Sequence, residues 1–155
     1  MTGTIDSRLA QLGIDLPSPP APVASYVPYV IAGNIVFISG QVTLAADGLK
    51  YVGVVGKDLS LDEGKAAARL CAINVLAQLK AAVNGNLDRV RRCVRLGVFV
   101  NAVPEYTQHP EVANGASDLI QEVFGEAGRH ARAAVGAGSL PRNVAVEVEA
   151  VFEIA

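Results

Sequence analysis

Tryptophan is absent from this 155-residue chain, and four Phe and four Tyr are its only aromatics. No large aromatic cluster can therefore organise the core. Cysteine is almost as scarce: Cys71 and Cys93 lie in segments of different type and neither has a CxxC partner. That excludes a disulfide framework and a thiolate zinc site, and both residues read as buried packing groups. Charge of one sign is missing too, since 13 basic and 15 acidic side chains give a formal net charge of −2. No overall positive field exists to attract a nucleic-acid backbone or an anionic membrane.

Long apolar runs are also lacking. The stretch from Val27 to Ile38 is interrupted by Pro28, Gly33 and Asn34 and falls short of the roughly 20 residues that a spanning helix needs. Met1 to Arg8 shows no basic region followed by an apolar one, so no signal peptide is read and a cytoplasmic protein is expected. Neither G-x-G-x-x-G nor G-x-x-x-x-G-K-[ST] occurs, which leaves nucleotide-cradling loops unsupported. Ser39 sits outside the G-x-S-x-G setting of a nucleophile elbow. His109 and His130 have no acidic or thiol partners nearby in sequence, so no metal is expected.

What the chain has in quantity is alanine and valine: 24 Ala and 22 Val supply over half of its 51% hydrophobic residues. A core of small side chains follows, and a mean hydropathy of +0.35 suggests apolar surface left over for burial between subunits. Ile5, Leu9, Leu12 and Ile14 stand at helical spacing before Pro17, Pro19, Pro20 and Pro22 stop the pattern, giving a short helix and an extended arm over residues 1–24. A single domain over residues 25–155 follows. Tyr29 to Val42 reads as two antiparallel strands around Gly33-Asn34. Tyr51 to Val55 reads as a short strand, and Asp58-Leu59-Ser60 as the cap of a helix running from Ala66 to Val83, with Gly85 ending it. Strict alternation from Arg92 to Val103 predicts a half-buried strand that puts Val94, Leu96, Val98 and Val100 on one face and Cys93, Arg95, Phe99 and Asn101 on the other. A helix over Pro110 to Phe124, weakened by Gly115, and a last strand over Val144 to Ile154 complete the order. Strands and helices in this order fit an α+β fold with two helices on one face of a mostly antiparallel sheet.

Two residues carry chemistry on composition alone. Arg132, set among small residues, offers a planar fork that matches a carboxylate with two hydrogen bonds, although a rim ion pair explains an exposed strand Arg equally well. Glu147 on the polar side of the last strand could polarise a water, or could simply belong to a solvated face with Glu149 and Glu153. Gly40 reads as a place where backbone approaches a ligand. Arg89, Arg91, Arg92 and Arg95 form a basic cluster without interleaved aromatics, which favours strand-edge or ion-pair contacts over RNA.

The run Gly33-Asn34-Ile35-Val36-Phe37-Ile38-Ser39-Gly40-Gln41, then Val98-Phe99-Val100, then Arg132 with Leu140-Pro141 and Val146-Glu147-Val148-Glu149-Ala150, resembles the RidA family, also called YjgF or endoribonuclease L-PSP. The resemblance extends from about Ser25 to the C-terminus. It implies a chorismate-mutase-like subunit assembled as a homotrimer with ligand clefts between subunits, no cofactor, and hydrolysis of reactive enamines or imines to 2-keto acids and ammonia. By that resemblance Arg132 binds the substrate carboxylate and Glu147 positions the attacking water. Tyr26, Ser39, Gly40, Asn114 and the backbone of Ala134 would line the pocket. Ala133-Ala134 stand where the best-known members carry a small polar residue and a cysteine. The alternative within the same family is a non-catalytic trimer that binds a small carboxylate. On either reading the sheet's second face packs against neighbouring subunits, with Arg132 and Glu147 expected together on it.

Overall fold

The computed structural model describes residues 3–19 and 24–155, so Pro20 and Pro22 of the expected arm lie outside the described residues. Helix α1 (Thr4–Gln11) is followed by strands β1 (Tyr29–Ala32) and β2 (Ile35–Gln41), then by a small hairpin of β3 (Leu44–Ala45) and β4 (Gly48–Leu49). Helix α2 (Leu61–Ala82), strand β5 (Val90–Asn101), helix α3 (His109–Phe124), strand β6 (Ala131–Ala137) and strand β7 (Val146–Ile154) complete the chain. The main sheet has the order β1-β2-β7-β5-β6. All its pairings are antiparallel except β5 with β6, which α3 joins as the crossover a parallel pair requires.

Local chemistry explains the helix ends. The Ser60 hydroxyl accepts from the Glu63 amide, and the Glu63 carboxylate accepts from the Ser60 amide in return, both at 3.1 Å, so α2 opens on a capping box. The helix therefore begins at Leu61, earlier than its alanine pattern suggests, and Gly85 follows it with a φ of +87°. Asp88 accepts from the free amides of Thr4 and Ile5 at 2.9 Å and so caps α1 from a distant turn.

Helices α2 and α3 cover one face of the sheet. Between them Leu76, Leu79, Leu119 and Ile120 meet Val36, Leu96, Val98, Val148 and Phe152 in a fully enclosed core. Leu9 and Ile14 join that same core, so α1 and the turn after it pack on the domain. Gly115 has a specific purpose in this packing: a Cβ there would overlap the Lys65 carbonyl oxygen of α2. Both cysteines are buried, with the Cys71 thiol donating to the Val146 carbonyl at 3.3 Å, and burial pushes the Cys93 thiol up to about 12.

Three local expectations are corrected. Tyr51–Val55 makes only isolated bridges, from Val52 to Val144 and from Val55 to Leu59 and Ala102, because Tyr51 at φ +50° and Gly53 at φ +144° break the extended path. The alternation in β5 is not continuous: an irregularity between Cys93 and Arg95 turns Cys93 into the core and Val94 outward. Finally, β6 is a strand that the sequence pattern does not announce.

Candidate functional site

Arg132 lies on β6 in register with Leu96 of β5, a core residue. Its side chain therefore projects to the helix-covered side, where α3 meets it. Nη1 donates to Asn114 Oδ1 at 2.8 Å and to Ser117 Oγ at 3.1 Å. These partners stand three apart on α3 and so share one helix face. Nη1 carries two hydrogens, and both are used. Nε and Nη2 make no hydrogen bond among the described residues, so one complete edge of the guanidinium is left for a planar anion. Arg132 also lines a shallow pocket of about 200 Å³ together with Ser117, Gln121, Arg129 and His130. Ala134 follows two residues later on the same side, in register with Val98 and packed against the core.

Glu147 lies on β7 in register with Phe99 and projects to the opposite, uncovered side of the sheet. A β-bulge between Ile38 and Gln41 brings Gly40 of β2 beside it, so close that a Cβ on Gly40 would overlap the Glu147 carboxylate. The Ser39 hydroxyl donates to the Val27 carbonyl at 2.7 Å and the Ser39 amide to Pro28 at 2.9 Å. These bonds tether the segment that carries Tyr26, an exposed residue. Partial burial raises the Glu147 carboxyl above its ordinary range, and the neighbouring Glu149 charge raises it further. Glu149 itself pairs with Arg95 at 3.3 Å.

The expected residues thus form two groups: Arg132, Asn114 and Ala134 on the helix side, and Glu147, Gly40, Ser39 and Tyr26 about the open side. The expectation that Arg132 and Glu147 share the open face is corrected, because β6 pairs parallel in the register that turns Arg132 toward α3. A cavity of about 620 Å³ between α1, residues 14–19 and the end of α2 contains none of these residues.

Ser117 and His130 were not expected in the site. His130 Nε2 lies 2.8 Å from Ser117 Oγ, and Nδ1 lies 2.6 Å from the Gly128 carbonyl. Burial holds the imidazole pKa below its ordinary value, and the Arg132 charge acts in the same direction. A sequence signal existed in retrospect: Ser117 is one turn from Asn114, and His130 is two residues before Arg132. Three of the four arginines of the basic cluster are engaged structurally, with Arg89 donating to the Ala155 carbonyl, Arg92 to the Arg129 carbonyl, and Arg95 to Glu149. Among the described residues no three His, Cys, Asp or Glu side chains gather where they could hold a metal ion. None of the described helices is long and apolar enough to cross a membrane.

Residues 6–154 match the family described as "YjgF/chorismate_mutase-like, putative endoribonuclease". Protein TCP17 of Trypanosoma cruzi is 49% identical over 99% of this chain and 96% of its own length. A crystal structure of a protein of unknown function from Agrobacterium tumefaciens is 48% identical, with a TM-score of 0.92 over 97% of this chain and 92% of that one. A 2-iminobutanoate/2-iminopropanoate deaminase of Dermatophagoides farinae is 26% identical over 91% of this chain and 94% of its own.

Proposed function

The chain belongs to the YjgF/chorismate mutase-like family, the RidA family, and on that footing we propose that it hydrolyses small 2-imino acids and their enamine tautomers to 2-keto acids and ammonia. The observation that carries this reading is Arg132: its Nη1 is anchored by Asn114 and Ser117, its Nε and Nη2 bond nothing among the described residues, and the residue lines a small pocket. A 2-imino acid presents a carboxylate to such an edge and holds its electrophilic carbon one bond away. The relative named as a 2-iminobutanoate/2-iminopropanoate deaminase supports the same chemistry.

Water adds to C2 of the imine as Glu147 takes one of its protons and passes it to nitrogen; Glu147 then carries the proton of the new hydroxyl to the amino group, and the C–N bond breaks to leave the keto acid and ammonia. A carboxylate whose pKa is raised by burial and by Glu149 is better matched to this proton exchange than an ordinary one. No cofactor enters the sequence of bonds. Since Arg132 and Glu147 lie on opposite sides of one sheet, a site containing both takes them from two subunits, and the proposed assembly is a homotrimer. Val30, Phe37 and Val135, at 52%, 48% and 47% exposure on the uncovered side or its margin, supply apolar surface for that contact.

Ammonia release from enzymatically generated 2-iminobutyrate tests the activity. Arg132→Ala is expected to abolish release and leave the oligomer intact in sedimentation. Unchanged turnover would overturn the reading. Tight binding of 2-ketobutyrate by the unaltered protein with no ammonia release would replace it with a carboxylate-binding trimer.

A further inference from the structure

The hydrogen-bond directions around Arg132 are fixed from one end. The Gly128 carbonyl can only accept, so His130 Nδ1, 2.6 Å away, carries the proton. In the neutral ring Nε2 is then an acceptor, and the Ser117 hydroxyl at 2.8 Å must donate to it. With its proton directed at His130, Ser117 Oγ presents only lone pairs to Arg132 Nη1 at 3.1 Å. Every donor in the chain Arg132–Ser117–His130–Gly128 points the same way. Asn114 Oδ1 takes the second Nη1 hydrogen at 2.8 Å.

We infer that Ser117 and His130 are positioning residues for Arg132, a relay that locks the guanidinium with its Nε–Nη2 edge turned toward the substrate carboxylate. This rests on the reading of Arg132 as the carboxylate anchor. Asn114 alone leaves the guanidinium free to pivot about one bond, whereas a second acceptor on the same nitrogen fixes the plane. Ser117 can serve as that acceptor only while His130 receives its proton; otherwise the hydroxyl hydrogen is free to swing toward the guanidinium. His130 in turn is oriented by a backbone carbonyl that no side-chain change removes. Ser117, His130 and Arg132 all line the same pocket, so the relay stands beside the place proposed for the carboxylate.

The test uses the full-length protein with 2-ketobutyrate binding by calorimetry and deamination kinetics on 2-iminobutyrate. Ser117→Ala and His130→Ala are each expected to raise Kd and KM roughly ten-fold, the loss of one hydrogen bond to a charged group, with kcat within about two-fold. Ser117→Thr, which keeps the hydroxyl, is expected to recover binding. Because the two residues act as one chain, the double Ala variant is expected to be no worse than either single one. Ser117→Ala binding as tightly as the unaltered protein, or single effects that multiply in the double variant, would overturn the relay. Should His130→Ala fail to fold, the Ser117→Ala and Ser117→Thr pair decides alone. Arg132→Ala separates the two levels: if it binds the keto acid normally, the function reading fails and the relay with it. If it loses binding while Ser117→Ala does not, the relay alone fails.

Discussion

Glu147 and Gly40 show how far one side chain depends on its neighbour. The bulge in β2 places Gly40 where any Cβ would overlap the Glu147 carboxylate, so Gly40→Ala is expected to cost no more than about 1 kcal/mol, the low end for overpacking because a flexible side-chain end can yield, and to displace the carboxylate. Denaturant unfolding reads the first effect. A fall in kcat with 2-ketobutyrate binding preserved reads the second, because Arg132 lies on the other side of the sheet. The raised Glu147 pKa acts on activity and on stability in opposite directions as pH rises. Catalysis needs the ionised form, so activity rises with pH through a value above the ordinary 4.5. Glu149→Gln removes the second cause of the shift and is expected to move that acidic limb to lower pH. For stability, a carboxyl raised on folding contributes fully below its unfolded pKa and loses that contribution as pH rises through the folded one. Glu147→Gln is therefore expected to be more stable than the unaltered protein near about pH 7, with the difference vanishing toward about pH 4. Equal differences at both pH values would show that Glu147 does not titrate as its surroundings imply.

At the scale of elements, the ends of α2 and its contact with α3 allow two changes to be set against each other. Ser60→Ala breaks the capping box at a cost of about 1 kcal/mol, a fall in Tm of roughly 2–4 °C for a chain of this size. Turnover should be unaffected, since no site residue touches that turn. Gly115→Ala instead drives a methyl group into the Lys65 carbonyl and moves the residue next to Asn114, so both Tm and keto-acid affinity should fall. A Gly115→Ala protein with normal affinity would mean that α3 can shift without disturbing Arg132. Ser60 and the valine alternation of β7 were legible because their signals are local. Strand β6 was not: Ala-Arg-Ala-Ala-Val-Gly-Ala has one β-branched residue and is rich in types depleted from strands, and it becomes a strand through its parallel ladder to β5. Val52, Val54 and Val55 misled in the opposite direction, since the left-handed backbone at Tyr51 and Gly53 stops them from pairing in a ladder. Missing β6 also hid which way Arg132 points. The motif singled out Arg132 and Glu147 as candidates, whereas Ser117 and His130 come beside Arg132 only when α3 folds over β6.

For the whole molecule, the decisive fact is that one sheet separates Arg132 from Glu147. Leu96 of β5, beside Arg132, faces α2 and α3, whereas Phe99, beside Glu147, is on the side that no helix covers. Side chains on opposite faces of a sheet cannot reach a common small ligand, so under the proposed function one subunit would supply two half-sites. The surplus of valine and alanine supplies a means of joining them, because the uncovered side presents Phe37 and Val135 where a neighbouring subunit can pack. Val135→Asp, which puts a charge into that contact, is expected to dissociate the assembly in sedimentation and to abolish turnover together. A mixing experiment asks more. Under the proposed function, Arg132→Ala and Glu147→Ala subunits are each expected to be inactive alone, whereas the proposed trimer built from both would have interfaces where an intact Arg132 faces an intact Glu147. After unfolding and refolding an equal mixture, about one interface in four is complete if subunits combine at random in a closed ring. About a quarter of the unaltered activity should therefore return, and mixing the two folded homo-oligomers without exchange should return none. Activity that stays absent after verified co-assembly would place the water-positioning group on the same subunit as the carboxylate anchor, and Glu147 could not then be that group.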